Sequence, residues 1–140
     1  MLVAIKKETH HLQLASKPES IVVLDNWINQ LVASHLINET LHANISTALN
    51  EALTNAIHHG NKLSADKTVN IWVKITENNT LSFTVSDEGN GFNYRTLPQP
   101  ISPENIEKLT GRGVFIMQQL AHQCTFNAQG NSVELHFLLA

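Results

Sequence analysis

Between Leu41 and Val85 the spacing of apolar residues changes once, and the change falls at Gly60. Before it, Leu41, Ile45, Ala48, Leu49, Ala52, Leu53, Ala56 and Ile57 recur at intervals of three and four, the period of one helix face. After it, Val69, Ile71, Val73 and Ile75 recur at intervals of two, and so do Leu81, Phe83 and Val85. That is the period of a strand with one buried face. Glycine is the common stop residue of a helix. The spacing therefore predicts a helix from about Asn38 to His59, then two strands turning at Glu77-Asn78-Asn79-Thr80. A helix with one apolar stripe and a sheet with one apolar face bury each other, which is a two-layer arrangement.

The remaining segments fit the same scheme. Residues 2–14 read as extended, with Leu12 and Leu14 flanking Gln13. Pro18 opens a helix, with Ser16 as its cap, and Val22, Val23, Trp27, Ile28 and Leu31 follow at helical spacing. Another helix begins near Gly113 and includes Val114, Phe115, Ile116, Met117 and Leu120. The chain closes with a hairpin: a strand from Cys124 to Asn127, a turn at Gln129-Gly130-Asn131, then Val133, Leu135, Phe137 and Leu139 in alternation. Asp87 to Thr110 carries three prolines and two glycines and reads as a long loop of the functional kind. The expected fold is an α/β (α+β) two-layer sandwich, with a mixed, mainly antiparallel sheet and helices on one face. One domain over residues 1–140 is expected, as no linker or repeat divides the chain.

Composition narrows the function. Hydrophobic residues make up 42% and charged residues 15% of the 140, the composition of a globular chain. The formal charge of −3 argues against direct binding to nucleic acid or to an anionic membrane, both of which call for a basic face. The lone cysteine, Cys124, cannot form an intrachain disulfide, and a reducing compartment is expected. The first eight residues become charged too early for a secretory leader, and no apolar run reaches membrane-spanning length, so the expected location is cytoplasmic. The 8 histidines are scattered, and His10-His11 and His58-His59 lack zinc-site spacing with cysteines.

Three clusters carry chemistry. In Glu51-Ala52-Leu53-Thr54-Asn55-Ala56-Ile57-His58-His59-Gly60-Asn61, Glu51 and Asn55 lie one helical turn apart. The amide oxygen of Asn55 is a hard ligand suited to magnesium. The Glu51 carboxylate can accept a proton. Taken alone, the pair is equally the polar edge of an ordinary amphipathic helix. The second cluster is Asp87-Glu88-Gly89-Asn90-Gly91-Phe92, directly after a strand. A carboxylate fixed at a sheet end only accepts hydrogen bonds, so Asp87 suits the amino group of adenine and opposes a carbonyl there. Gly89 and Gly91 permit close backbone approach. A plain glycine turn reads the same way, whereas a calcium loop lacks its final glutamate here. The third is Thr110-Gly111-Arg112-Gly113, expected just ahead of a helix, where free amides and Arg112 can meet phosphates. A flexible helix start remains the plainer reading. Neither the P-loop nor the dinucleotide fingerprint is present.

As a set, E-A-L-T-N-A-I-H-H-G, D-E-G-N-G-F and T-G-R-G-V-F-I-M resemble the N box and the two glycine boxes of the Bergerat-fold ATPases, the group of gyrase and the histidine kinases. Small size, and the Pro103-Glu104-Asn105 run before Gly111, make the chain look like the bacterial anti-sigma-factor serine/threonine kinases. The resemblance runs from about Leu12 to Leu139. It implies ATP and Mg2+ as cofactors. It implies that Asn55 ligates the metal and that Glu51 is the catalytic base. Asp87 would bind adenine and Gly89 and Gly91 would shape the pocket. Residues 93–110 would form a lid, and Thr110, Gly111, Arg112 and Gly113 would hold phosphates. Thr110 stands where many members carry a further glycine.

The function so implied is partner switching. The chain would sequester a sigma factor or similar regulator, and would phosphorylate a small antagonist protein on serine or threonine, with a homodimer as the common assembly. Two rivals stand beside it. A nucleotide-binding adaptor without phosphotransfer is disfavoured by Glu51 beside Asn55. An excised histidine-kinase catalytic domain is disfavoured by the missing dimerisation helices.

Overall fold

A computed structural model describes residues 9–76, 79–89 and 109–139. In chain order they form β1 (Thr9–Ala15), α1 (Ser20–Ala33), α2 (Glu39–Asn55), one π-helical turn (Ala56–Gly60), β2 (Thr68–Ile75), β3 (Thr80–Ser86), α3 (Leu109–Leu120), β4 (Gln123–Phe126) and β5 (Ser132–Leu138). The strands make one sheet in the order β1-β2-β3-β5-β4. All four pairings are antiparallel, so the expected mixed character is absent among the described strands. The alternation explains the register. Leu12 lies opposite Ile71, Ile71 opposite Val85, and Val85 opposite Val133, so a one-residue slip would turn an apolar row out to solvent.

That row faces the helices. Val69, Ile71, Val73, Leu81, Phe83, Leu135 and Phe137 are buried in one cluster with Leu24 and Ile28 of α1, Ile45, Leu49 and Leu53 of α2, and Val114 and Met117 of α3. Phe83 sits at the centre, with the Trp27 and Phe137 rings edge-on to it at centroid distances of 6.5 and 6.1 Å. The opposite face of the sheet carries His11, Gln13, Trp72, Lys74, Thr84 and Glu134, with none of the described helices over it. The layers are therefore two, as the single-faced alternation requires. Among the described residues no helix is long and apolar enough to cross a membrane.

The local start and stop signals differ in detail from expectation. Asn38 caps α2, its side-chain oxygen accepting the Leu41 amide at 3.2 Å. Ser16 does not cap α1. Its hydroxyl is buried without a partner, and Pro18 lies in the preceding turn. Instead the carbonyls of Lys17, Pro18 and Glu19 accept amides three residues on, so the helix is entered through a tight turn that leaves a side-chain cap nothing to do. The predicted helix to His59 is α-helical only to Asn55, and its last four residues form the π turn together with Gly60.

Truncating the central ring should cost much more than changing the open face. Phe83→Ala is expected to lower the unfolding free energy by about 3–5 kcal/mol in urea titrations. Lys74→Ala on the solvent side should stay within about 0.5 kcal/mol.

Candidate functional site

The end of α2, the end of β3, the middle of α3 and the β4–β5 turn meet around one cleft open to solvent. Its walls are apolar: Ala52, Ala56, Val85, Met117, Phe126 and Val133. Its polar lining includes Asn55, Asp87 and Asn131. A flat apolar ligand with a donor at one edge suits such a lining better than a sugar or a peptide does.

Three glycines let the walls close. A Cβ on Gly60 would collide with the Asp87 carboxyl, and one on Gly89 would collide with the Gly60 carbonyl. A Cβ on Gly113 would lie 2.8 Å from the Glu51 carboxylate and 3.5 Å from the Asn55 side-chain oxygen. The structure thus gathers Glu51, Asn55, Asp87, Gly89 and Gly113 into one neighbourhood. Glu51 and Asn55 share a face because α2 stays α-helical through Asn55. The amide nitrogen of Asn55 is buried and has no hydrogen-bond partner. Native proteins rarely leave such a group unmet, so this one points to a ligand.

Gly91 and the expected lid, up to residue 108, lie outside the described residues. Thr110, Gly111 and Arg112 are described in backbone only. Here the sequence expectation needs correction. α3 begins at Leu109 rather than near Gly113, so Thr110-Gly111-Arg112-Gly113 lies inside the helix and not ahead of it. The Gly113 amide, four residues after Leu109, falls within the helical ladder. Nothing at Leu109 or Thr110 breaks a helix. The two glycines cost about 1 kcal/mol each, which the packing of Val114 and Met117 offsets.

Asp87 is half-buried, and burial raises its carboxyl above the ordinary aspartate range. The Gly89 amide, 2.8 Å from one carboxylate oxygen, and the charge of Lys67 act in the opposite direction. A folded-state pKa above the unfolded value means that stability is lost as pH rises through it. At neutral pH the chain therefore holds a carboxylate where folding alone disfavours one, a pattern common at functional sites. Sequence reading did not find Gly60, Asn61 or Asn131 as residues of this neighbourhood. Gly60 was read as a helix stop and as the last residue of the N-box match, with no contact to Asp87 expected. The asparagines left no signal, because their partners are backbone groups distant in sequence.

Asp87→Asn keeps an acceptor for Gly89 and removes the charge. It should raise the thermal midpoint of the ligand-free protein at pH 7.5, with a gain that shrinks as pH falls toward the carboxyl's own titration. Scanning calorimetry across pH checks this, and a lowered midpoint at pH 7.5 would contradict it.

The sequence profile of the histidine kinase-like ATPase domain matches residues 14–137. The serine-protein kinase RsbW of Staphylococcus aureus is 34% identical over 85 residues, which are 56% of this chain and 53% of the relative. The chain spans about half the length of the curated relatives it matches. The RsbU and RsbW domains of a Mycobacterium tuberculosis protein superpose with a TM-score of 0.66 at 15% identity, over 94% of this chain and 32% of that one. The histidine kinase domain of a blue-light activated histidine kinase from Erythrobacter litoralis gives a TM-score of 0.51 at 19% identity, over 86% of this chain and 60% of that one. Both structures speak for the fold, and the profile speaks for the family. A match from the end of β1 to the end of β5, on a two-layer fold with a cleft between α2 and β3, means that the chain belongs to the histidine kinase-like ATPase domain family and resembles the RsbW serine-protein kinases.

Proposed function

We propose that the cleft binds ATP with magnesium, and that the chain transfers the γ-phosphoryl group to a serine or threonine of a small protein partner. The observation that carries this reading is the meeting of the Glu51–Asn55 face with Gly113 of α3, at one end of a cleft whose other end holds Asp87. The apolar walls suit an adenine ring. The Asp87 carboxylate suits its exocyclic amino group and opposes the carbonyl of guanine.

Asn55 fits magnesium on the structure's own terms. It offers one amide oxygen beside a carboxylate, and magnesium takes few protein ligands when phosphates and waters supply the rest; its amide nitrogen, without a partner among the described residues, is left to donate to a phosphate oxygen. Bound there, the ion would neutralise phosphate charge. On this reading Glu51 would accept the proton of the attacking hydroxyl as the hydroxyl oxygen bonds to phosphorus and the bond to ADP breaks. Phosphoryl transfer depends mainly on position and charge, so the carboxylate adds a limited factor. The RsbW likeness supports the choice of a protein hydroxyl as acceptor. On this reading the chain is a cytoplasmic partner-switching regulator. A small antagonist is its phosphorylated partner, a sigma factor or similar regulator is the partner it sequesters, and a homodimer is its working form.

Asn55→Ala should weaken ATP binding in magnesium far more than in chelator, as read by titration calorimetry. An equal loss in both buffers would make Asn55 structural. Glu51→Gln should leave ATP affinity within a few-fold and slow labelled-phosphate transfer to the captured partner by roughly 10²-fold or more. A wild-type chain that binds ATP and transfers nothing to any bound partner would replace the kinase with an adaptor.

A further inference from the structure

The ATP reading gives Asp87 a task but does not explain what holds it. Asn61, directly after the π turn, is 1% exposed, and its side chain is used at both ends. Its nitrogen donates to the Thr68 carbonyl at 3.0 Å, and its oxygen accepts the Glu88 amide at 2.8 Å. The backbone that turns Asn61 inward is strained. Lys62 and Leu63 follow it with φ of 53° and 60°, a region that side-chain-bearing residues seldom occupy in succession. The Glu88 carboxylate accepts the Thr68 amide at 2.6 Å and its hydroxyl at 2.8 Å.

On the other side stands Asn131. Its carbonyl accepts the Asp87 amide at 2.9 Å, and its side-chain nitrogen donates to the Gly89 carbonyl at 3.1 Å. The side-chain oxygen of Asn131 is itself held by Asn127 at 2.8 Å. Every residue of Asp87-Glu88-Gly89 thus has a backbone group bonded to one of two asparagines, which come from opposite sides of the segment. The remaining amide, that of Gly89, is bonded to the Asp87 carboxylate. A loop with glycine in it would otherwise let this carboxylate swing away from a mismatched base or admit a bridging water.

We propose that Asn61 and Asn131 are positioning residues that fix the Asp87 carboxylate for the base, and so set how strictly the site prefers adenine over guanine. The proposal rests on the ATP reading above. Neither residue touches the base in this account, and both act through Asp87. A residue serving folding alone would change stability and leave the choice between two equally bulky nucleotides untouched.

The test measures ATP and GTP affinity by titration calorimetry for the wild type, Asn61→Ala, Asn131→Ala, and a core truncation on α1, Leu31→Ala, as the destabilised control. Both asparagine variants should bind ATP more weakly and lose roughly tenfold of the ATP-over-GTP preference, about 1.4 kcal/mol of discrimination. The control should keep the wild-type ratio. Variants that lower the melting temperature but keep that ratio would overturn the proposal and leave the ATP reading intact. A wild type with no preference would remove Asp87 from base recognition and the proposal with it. Should Asn61→Ala fail to fold, Asn131→Ala, in a partly exposed turn, decides by the same criterion.

Discussion

Gly60 and the Asp87 carboxyl meet with no room for a methyl group between them, and in the same place the Gly89 backbone rests on the Gly60 carbonyl. This contact joins the end of the long central helix to the end of a central strand. Helix and strand arrive there because Ile45, Leu49 and Leu53 seat α2 on the apolar face that Phe83 and Val85 present. The contact also fixes which α2 residues face the cleft. With Gly60 pinned, Asn55 and Glu51 lie one and two turns back and come up against Gly113 of α3. The cleft is thus a by-product of two close-packed backbones, and its shape follows from the absence of side chains at three positions.

Several exceptions to ordinary folding rules gather near this contact, although the buried hydroxyls of Ser16 and Ser82 and the left-handed His35 and Asn79 lie elsewhere. The π turn, the left-handed pair Lys62-Leu63, the unpartnered Asn55 nitrogen and the disfavoured Asp87 carboxylate all lie between the end of α2 and the end of β3. Farther away, the β1–β2 ladder runs in unbroken register from Thr9 to Ala15, and α1 buries a regular stripe. Several different local rules failing together at one place mark where selection has acted on something besides stability.

How much of this was legible beforehand depended on the kind of interaction. The strands and the α2 stripe are periodic, and periodicity survives in sequence, so the two layers and the helix-then-hairpin order could be read directly. The three clusters were legible because each joins a polar residue to glycine at an element end. The start of α3 was not, since Gly111 and Gly113 look like a boundary and become helical only through packing on α2, which no local signal encodes. The entry to α1 was misread for a related reason. Ser16 has the chemistry of a cap, but the backbone had already closed its own turn. The antiparallel pairing of every described strand and the roles of Asn61 and Asn131 belong to contacts across long sequence separations, which composition and spacing leave open.

The π turn has a consequence for how this chain can change in evolution. It holds one residue more than an α-helical turn would, and Asn61 closes it by donating its amide to the Ala56 carbonyl five residues back. Deleting any one residue between Ala56 and Gly60 would let the helix run on regularly, and the backbone beyond would rotate by about 100°. Gly60 would then leave Asp87, and Asn61 would leave Glu88, without any side chain having been replaced. Length in this segment is therefore constrained as tightly as residue identity, and descendants of this sequence should tolerate insertions and deletions elsewhere, at Ala128 and Gln129 for instance, before they tolerate one here.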